Sequence, residues 1–266
     1  MLVVSDPDVL AVYSETGGAT KTTTAVSLAV AAALRGRATV LIDLDPRAAA
    51  TKWTDVEPSE PGLDVSAILA DADPDGWAED LAVPCRWEQV PQLRVIPSAR
   101  AVSNREKTNE DHGDVRLRVA LNGIRADVVV LDLPNRQGGV IIQNALEAAN
   151  KVVYAGKLDE DGLDGVEGAR TSVQRFKKHR AVLGVPDRLA EAGIVIGAWR
   201  DTVPTRDARR AEDEFIAAYG GLVLDPKVPE RVIVREARSA GDYYGFYDKG
   251  RIVHEAYDAL AGKVFA

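Results

Sequence analysis

Between an apolar run at 9–13 and an alanine-rich segment at 25–34, the chain places the loop Ser14-Glu15-Thr16-Gly17-Gly18-Ala19-Thr20-Lys21-Thr22-Thr23-Thr24. The first segment reads as a buried strand. The second reads as a strong helix, stopped by Gly36 just past its end. A glycine-bearing loop that leads through Lys-Thr into a helix has the makings of a phosphate cradle. Backbone N–H groups and the helix N-terminus attract phosphate, the Lys21 ammonium can reach the outer phosphates, and the Thr22 hydroxyl can ligate Mg²⁺. The general pattern asks for glycine six residues and one residue before the lysine, where Glu15 and Thr20 stand. A left-handed Thr20 would cost about 1–2 kcal/mol.

A second strand is expected at 38–42, running into Asp43-Leu44-Asp45-Pro46. One of these two acids can face the loop while the other supports the turn that follows. Asp43 is counted with Thr22 and Asp132 among the candidate magnesium ligands. Residues 127–134 read as a continuous apolar strand with an acid, Asp132, near its end, the pattern of a central parallel strand. An acid at that C-terminal end is placed to hold Mg²⁺ through water.

Elsewhere strands are expected at 93–97, 152–155, 193–197 and 222–225. Helices are expected at 140–148, 165–179, 208–219 and 252–264. Segment 114–124 reads as an amphipathic helix with Val115, Val119 and 121–124 inward. The Pro-, Asp- and Glu-rich stretch 54–90 reads as a surface excursion with helical pieces near 65–69 and 77–81. Strands alternating with helices predict one doubly wound α/β domain over 1–266, with a mostly parallel twisted sheet. The cations at 177–180 close a helix C-terminus, which favours capping over DNA contact. Arg231, Arg235 and Arg238 recur at near-helical spacing.

Composition narrows the function classes. Cys85 is the only cysteine of 266 residues, so no intrachain disulfide forms and a reducing compartment is expected. No N-terminal stretch reads as a signal peptide and no apolar run is long enough to span a bilayer. The net charge of −8 requires any nucleic-acid binding to use a local basic patch.

These residues together resemble the ParA/MinD family of deviant Walker-box ATPases, and ParA partition proteins in particular. Thr16 to Thr23 is similar to the family's loop K-G-G-x-G-K-T-T. Residues 40–51 resemble its V-L-L-I-D-L-D-P-Q-G-N-A-T, and 128–134 its I-I-I-D-x-P-P. Further pieces fit in order at 61–65, 93–98 and 256–260, so the similarity covers nearly the whole chain. The resemblance implies a nucleotide site built from Thr16, Gly17, Gly18, Ala19, Thr20, Lys21, Thr22 and Thr23. It makes Asp45 the residue that positions the attacking water and Asp132 the Walker B acid, and it rests the base against Pro229 and Glu230. It further implies ATP and Mg²⁺ as cofactors, slow hydrolysis, and an ATP-dependent sandwich homodimer. The dimer would bind DNA without sequence preference, with Arg231, Arg235 and Arg238 as its surface and Lys249 and Arg251 beside them. A centromere-binding or cargo-adaptor partner and a cytoplasmic, nucleoid-associated location complete the expectation.

Two departures stand out. The family's signature lysine is Thr16 here, and a threonine supplies no cation. Lys157, at a strand C-terminal end, is the candidate substitute, ahead of Lys151 at that strand's start; the alternative is an exposed loop lysine. Thr20 replaces a glycine. Competing readings are an McdA-like ATPase that positions a protein cargo, a MinD-like membrane-cycling ATPase, a switch that has lost hydrolysis, and a dethiobiotin-synthetase-like ligase. The tail 262–266 lacks the basic amphipathic helix of MinD. Asp45 argues against a non-hydrolysing switch, and no small-substrate pocket is legible for a ligase.

Overall fold

The computed structural model describes residues 6–18, 20–106, 112–200 and 206–266. In chain order the elements are β1 (Asp8–Tyr13), α1 (Lys21–Leu34), β2 (Thr39–Asp43), α2 (Ala49–Trp53), α3 (Val65–Ile68), α4 (Trp77–Leu81), β3 (Val83–Pro84), β4 (Leu93–Ile96), α5 (Val102–Arg105), α6 (Arg116–Ala120), β5 (Val128–Asp132), α7 (Val140–Ala148), β6 (Lys151–Gly156), α8 (Glu160–Val182), β7 (Ala190–Ile196), α9 (Arg206–Tyr219), β8 (Val223–Leu224), α10 (Val232–Ala240) and α11 (Arg251–Val264). The strands form one eight-stranded sheet in the order β3-β4-β2-β5-β1-β6-β7-β8. All pairings are parallel except β3 with β4. This is the mostly parallel, doubly wound α/β sheet expected.

The central strands are apolar along their whole length because both faces are covered. In β1, Val9, Ala11 and Tyr13 enter one core layer, and Leu10 and Val12 enter the other. The second layer is roofed by α1 and α11, whose buried residues join it. In β5 the same period puts Val128 and Val130 into that layer. Two residues further along the pleat, Asp132 emerges on the α1 side, at the C-terminal edge of the sheet. Its register partners are Val12 and Asp43.

Two sequence expectations are corrected. Segment 54–90 does carry helices at the anticipated places, but it is not a surface excursion. Val56, Val65, Ile68, Leu69, Ala78, Leu81, Trp87 and Val90 are all buried, and β3 extends the sheet. Its Pro- and acid-rich turns hid short apolar clusters that only tertiary packing gathers. The helix expected at 114–124 is confined to α6, where Leu117 and Ala120 are buried with Leu121 and Ile124 just beyond. Val115 and Val119 are only half-buried, so the inward face is rotated from the anticipated one. The cations closing α8 serve packing: Lys177 pairs with Asp187 at 3.1 Å, and Arg180 meets Glu147 and lies over Phe176.

Candidate nucleotide site

At the C-terminal edge of β1 the chain turns through the glycine loop into α1. Gly18 takes a positive φ of 78°, which an L side chain rarely adopts. Lys21 is the first residue of α1 and is only 7% exposed. Its Nζ donates to the Thr16 carbonyl at 2.9 Å. Burial pulls its pKa from 10.5 down to about 8, against the Asp132 and Asp45 carboxylates, which raise it, and with the Arg47 charge, which lowers it further. A partly desolvated ammonium at the head of a helix is suited to an anion that restores its charge. Ala19 lies outside the described residues.

Asp132 is wholly buried, and neither of its oxygens has a partner at hydrogen-bonding geometry. Burial, and then repulsion from Asp43, hold its pKa well above the usual carboxylate range; the nearby Thr22 hydroxyl and Lys21 oppose this. An orphaned carboxylate costs several kcal/mol unless something compensates it. Its position beside Thr22 at the mouth of the loop fits a divalent cation, held by the Thr22 hydroxyl and Asp132. That cation would neutralise phosphate charge.

Asp43 is held by hydrogen bonds on both oxygens. Its Oδ2 accepts from the Thr51 N–H at 2.9 Å and the Thr51 hydroxyl at 2.8 Å, and its Oδ1 accepts from the Asp45 N–H at 3.0 Å. Thr51 in turn takes the Ser98 N–H, and the Ser98 hydroxyl donates to the Asp45 carbonyl. Asp43 is therefore the acid that braces the turn. Asp45 is the one left partly exposed on the cavity, its Oδ1 accepting from the Arg47 N–H at 2.8 Å.

The three unusual loop residues each meet a glycine on the facing wall. Glu15 is turned away from the cavity: its Oε1 accepts from Tyr13 at 3.1 Å and from Ser172 of α8 at 2.7 Å, and a Cβ on Gly168 would lie 2.3 Å from its Oε2. The Thr16 hydroxyl donates to the Asp161 carbonyl at 2.9 Å, close against Gly165. Thr16 thus contributes its carbonyl to Lys21, while its side chain faces α8, contrary to its expected place against the nucleotide. Thr20 adopts the left-handed conformation, φ 63°, and abuts Gly197, where a Cβ would sit 2.2 Å from its Oγ1. We expect Gly197→Ala to displace the loop and weaken ATP binding about tenfold, within the 1–3 kcal/mol usual for overpacking. Thr20→Gly in the same chain should recover the affinity. Calorimetric titration checks this, and an unaltered affinity in the single variant would disprove the contact's importance.

The cavity around the loop measures about 580 Å³. Gly17, Gly18, Thr20, Lys21, Thr22, Thr23 and Asp45 line one side, and Pro229 and Glu230 another. Pro229 and Glu230 reach it because Trp199 bridges to Pro229 and accepts the Glu230 N–H at 2.7 Å. Lys157, just beyond β6, also lines it, its Nζ 3.9 Å from where a Cβ on Gly18 would stand. Lys151 is instead at the far end of β6, beside Asp8.

Arg231, Arg235 and Arg238 all line this same cavity, which their helical spacing alone did not indicate. Arg235 and Arg238 remain exposed, and Arg238 lies over the Trp53 ring. Arg47, Lys52, Trp53, Asn135 and Tyr257 were not anticipated here. Arg47 and Asn135 lie four and three positions beyond the acid-bearing strand ends Asp43 and Asp132, and that position was the available signal. Tyr257 is 233 residues from its partner Thr24, so no local pattern announces it. The lining cations outnumber its two carboxylates, Asp45 and Glu230, which suits a polyphosphate.

A phosphate loop at the first crossover, a braced acid after β2 and a buried acid ending β5 define a Walker-type nucleoside triphosphatase site. The AAA domain family model (AAA_31) matches residues 7–183, and the chain belongs to that family, as a ParA-type Walker ATPase. It is 28% identical to the chromosome partitioning protein ParA of Caulobacter vibrioides, over 97% of this chain and 94% of that one. It is 26% identical to the sporulation initiation inhibitor protein Soj of Bacillus subtilis, over 97% and 98%. Among solved structures it is similar to the Cyanothece McdA(D38A)–ATP complex, with TM-score 0.80, 18% identity, and 98% and 97% coverage. A putative plasmid partition protein of Borrelia burgdorferi bound to AMPPNP gives 0.74 at 18% identity, over 97% and 98%.

Proposed function

We propose that the chain acts as one domain that binds MgATP and hydrolyses it slowly, and closes as an ATP-dependent sandwich homodimer that binds DNA without sequence preference. Its role is segregation of plasmid or chromosomal DNA, with a centromere-binding partner that stimulates turnover. The observation that carries the nucleotide reading is the orphaned Asp132 carboxylate facing Thr22 and Lys21 at the head of α1. Lys21 and Lys157 hold the phosphates, Asp45 orients water, and Pro229 and Glu230 flank the base. A magnesium ion held by Thr22 and Asp132 would neutralise phosphate charge. Phosphoryl transfer asks for such positioning more than for covalent help.

One observation favours a second reading. Thr16 is docked on α8 while Lys157 enters the cavity, so the cation normally carried by the loop comes from elsewhere. The McdA branch resembles this chain in lacking the loop lysine, and a McdA-like ATPase would position a protein cargo on the nucleoid. The neighbouring gene separates the two: a cargo adaptor for one, a centromere-binding protein for the other. Among the described residues no helix is long and apolar enough to cross a membrane.

Size-exclusion chromatography with ATP, ADP or no nucleotide, with DNA retention on the same samples, tests the cycle. A dimer that retains DNA only with ATP is expected. Replacing Arg231, Arg235 and Arg238 together by alanine should lower the log–log salt slope by about 2–3, from the loss of three phosphate contacts. A monomer under all conditions without DNA retention would leave only nucleotide binding standing. Because the arginines also line the cavity, ATP affinity of the triple variant is measured beside it.

A further inference from the structure

We infer that Arg47 is a catalytic residue of this site, its guanidinium contacting the γ-phosphate oxygens and supplying transition-state charge that Thr16 cannot. The inference rests on the ATPase reading above. Arg47 lines the same cavity as Lys21 and Asp45, two residues beyond the water-orienting acid. Its backbone does the structural work there: the N–H holds Asp45 Oδ1 at 2.8 Å, and the carbonyl accepts from Lys52 Nζ at 2.8 Å. Its side chain is exposed, and among the described residues no carboxylate pairs with it. The next residue, Ala48, is held at φ 54°, a left-handed conformation costly for alanine, so the turn that presents Arg47 is strained rather than relaxed. The charge is also felt at the loop, where it helps to depress the Lys21 pKa.

In the reaction a water oxygen bonds to the γ-phosphorus as the bond from that phosphorus to the β–γ bridging oxygen breaks. The electron pair leaves with ADP, and the water proton passes by Asp45 to solvent. Charge builds on the γ-phosphoryl oxygens, and a fork of N–H donors meets it without a change of protonation. Lys157 reaches the cavity from β6, and Arg47 enters it from the turn after β2. The two are therefore independent sources of charge.

Arg47→Gln keeps the backbone contacts and removes the charge. Steady-state turnover should fall by about 10³-fold or more, within the range of supplied arginines. Affinity for MgAMPPNP should change by less than about threefold, while affinity for the ADP–aluminium fluoride mimic falls in step with turnover. Arg47→Lys should recover only part, because an ammonium lacks the planar fork. Circular dichroism melts confirm that the variants fold. Equal turnover and equal mimic affinity in Arg47→Gln and the unaltered chain would overturn the assignment. If the unaltered chain binds MgATP yet turns none over, with or without its partner, the hydrolytic reading itself falls, and this assignment falls with it.

Discussion

Asp132→Asn makes the nucleotide-free protein more stable and removes its response to magnesium. The native carboxylate is buried without a partner, and its pKa in the fold lies above that in the unfolded chain. The native state then holds the extra proton in the window between those two values. Stability is greatest below the window and falls as pH rises through it. At neutral pH the asparagine amide avoids that buried charge, so a gain of about 1–3 kcal/mol is expected, seen as a rise of several degrees in Tm. In the same variant the further rise produced by MgATP over ATP alone should vanish, and turnover should drop by at least about 10²-fold. A variant less stable than the parent across the whole pH range would contradict the orphaned acid. A retained magnesium response would remove Asp132 from the metal site.

Lys21→Ala abolishes turnover and removes a proton linkage. The ammonium has a pKa of about 8 in the free protein, against 10.5 for an ordinary lysine. Between those values the native state has released a proton that the unfolded chain retains, so stability of the free protein rises with pH through that window. Phosphates beside Nζ restore the charge, and binding at pH 8 should take up about half a proton, rising towards one near pH 9 and vanishing by about pH 6.5. Calorimetry in buffers of different ionisation enthalpy measures the uptake. Lys21→Ala should show none attributable to this site and should bind ATP about 10–100-fold more weakly, from the loss of charge-assisted hydrogen bonds. Uptake that persists unchanged in the variant would place the titrating group elsewhere.

The loop, the acid ending β5 and the alternation of strands and helices were all legible from local patterns. They rest on rules that act over a few residues: pleat period, helix caps and glycine conformations. That Thr20 stands where the loop pattern has glycine was legible for the same reason; its left-handed backbone, φ 63°, was decided by the fold. Which of Asp43 and Asp45 braces the turn and which faces the cavity was not legible, because hydrogen bonds from Thr51 decide it. Arg231, Arg235 and Arg238 were legible as a row of cations. Their place in the wall of the nucleotide cavity was not, because α10 reaches it only through the docking of the segment after β8.

From sequence alone came the class of fold, the phosphate cradle, and the acid and hydroxyl beside it, since each is written in residues that are neighbours along the chain. Tertiary structure alone decided that Thr16 turns to α8, that Gly165, Gly168 and Gly197 make room for the unusual loop, and that Arg47 and Lys157 share one cavity. Those pairs are separated by as many as 177 positions, as Thr20 and Gly197 are. Only the order of strands in the sheet brings such residues within ångströms of one another.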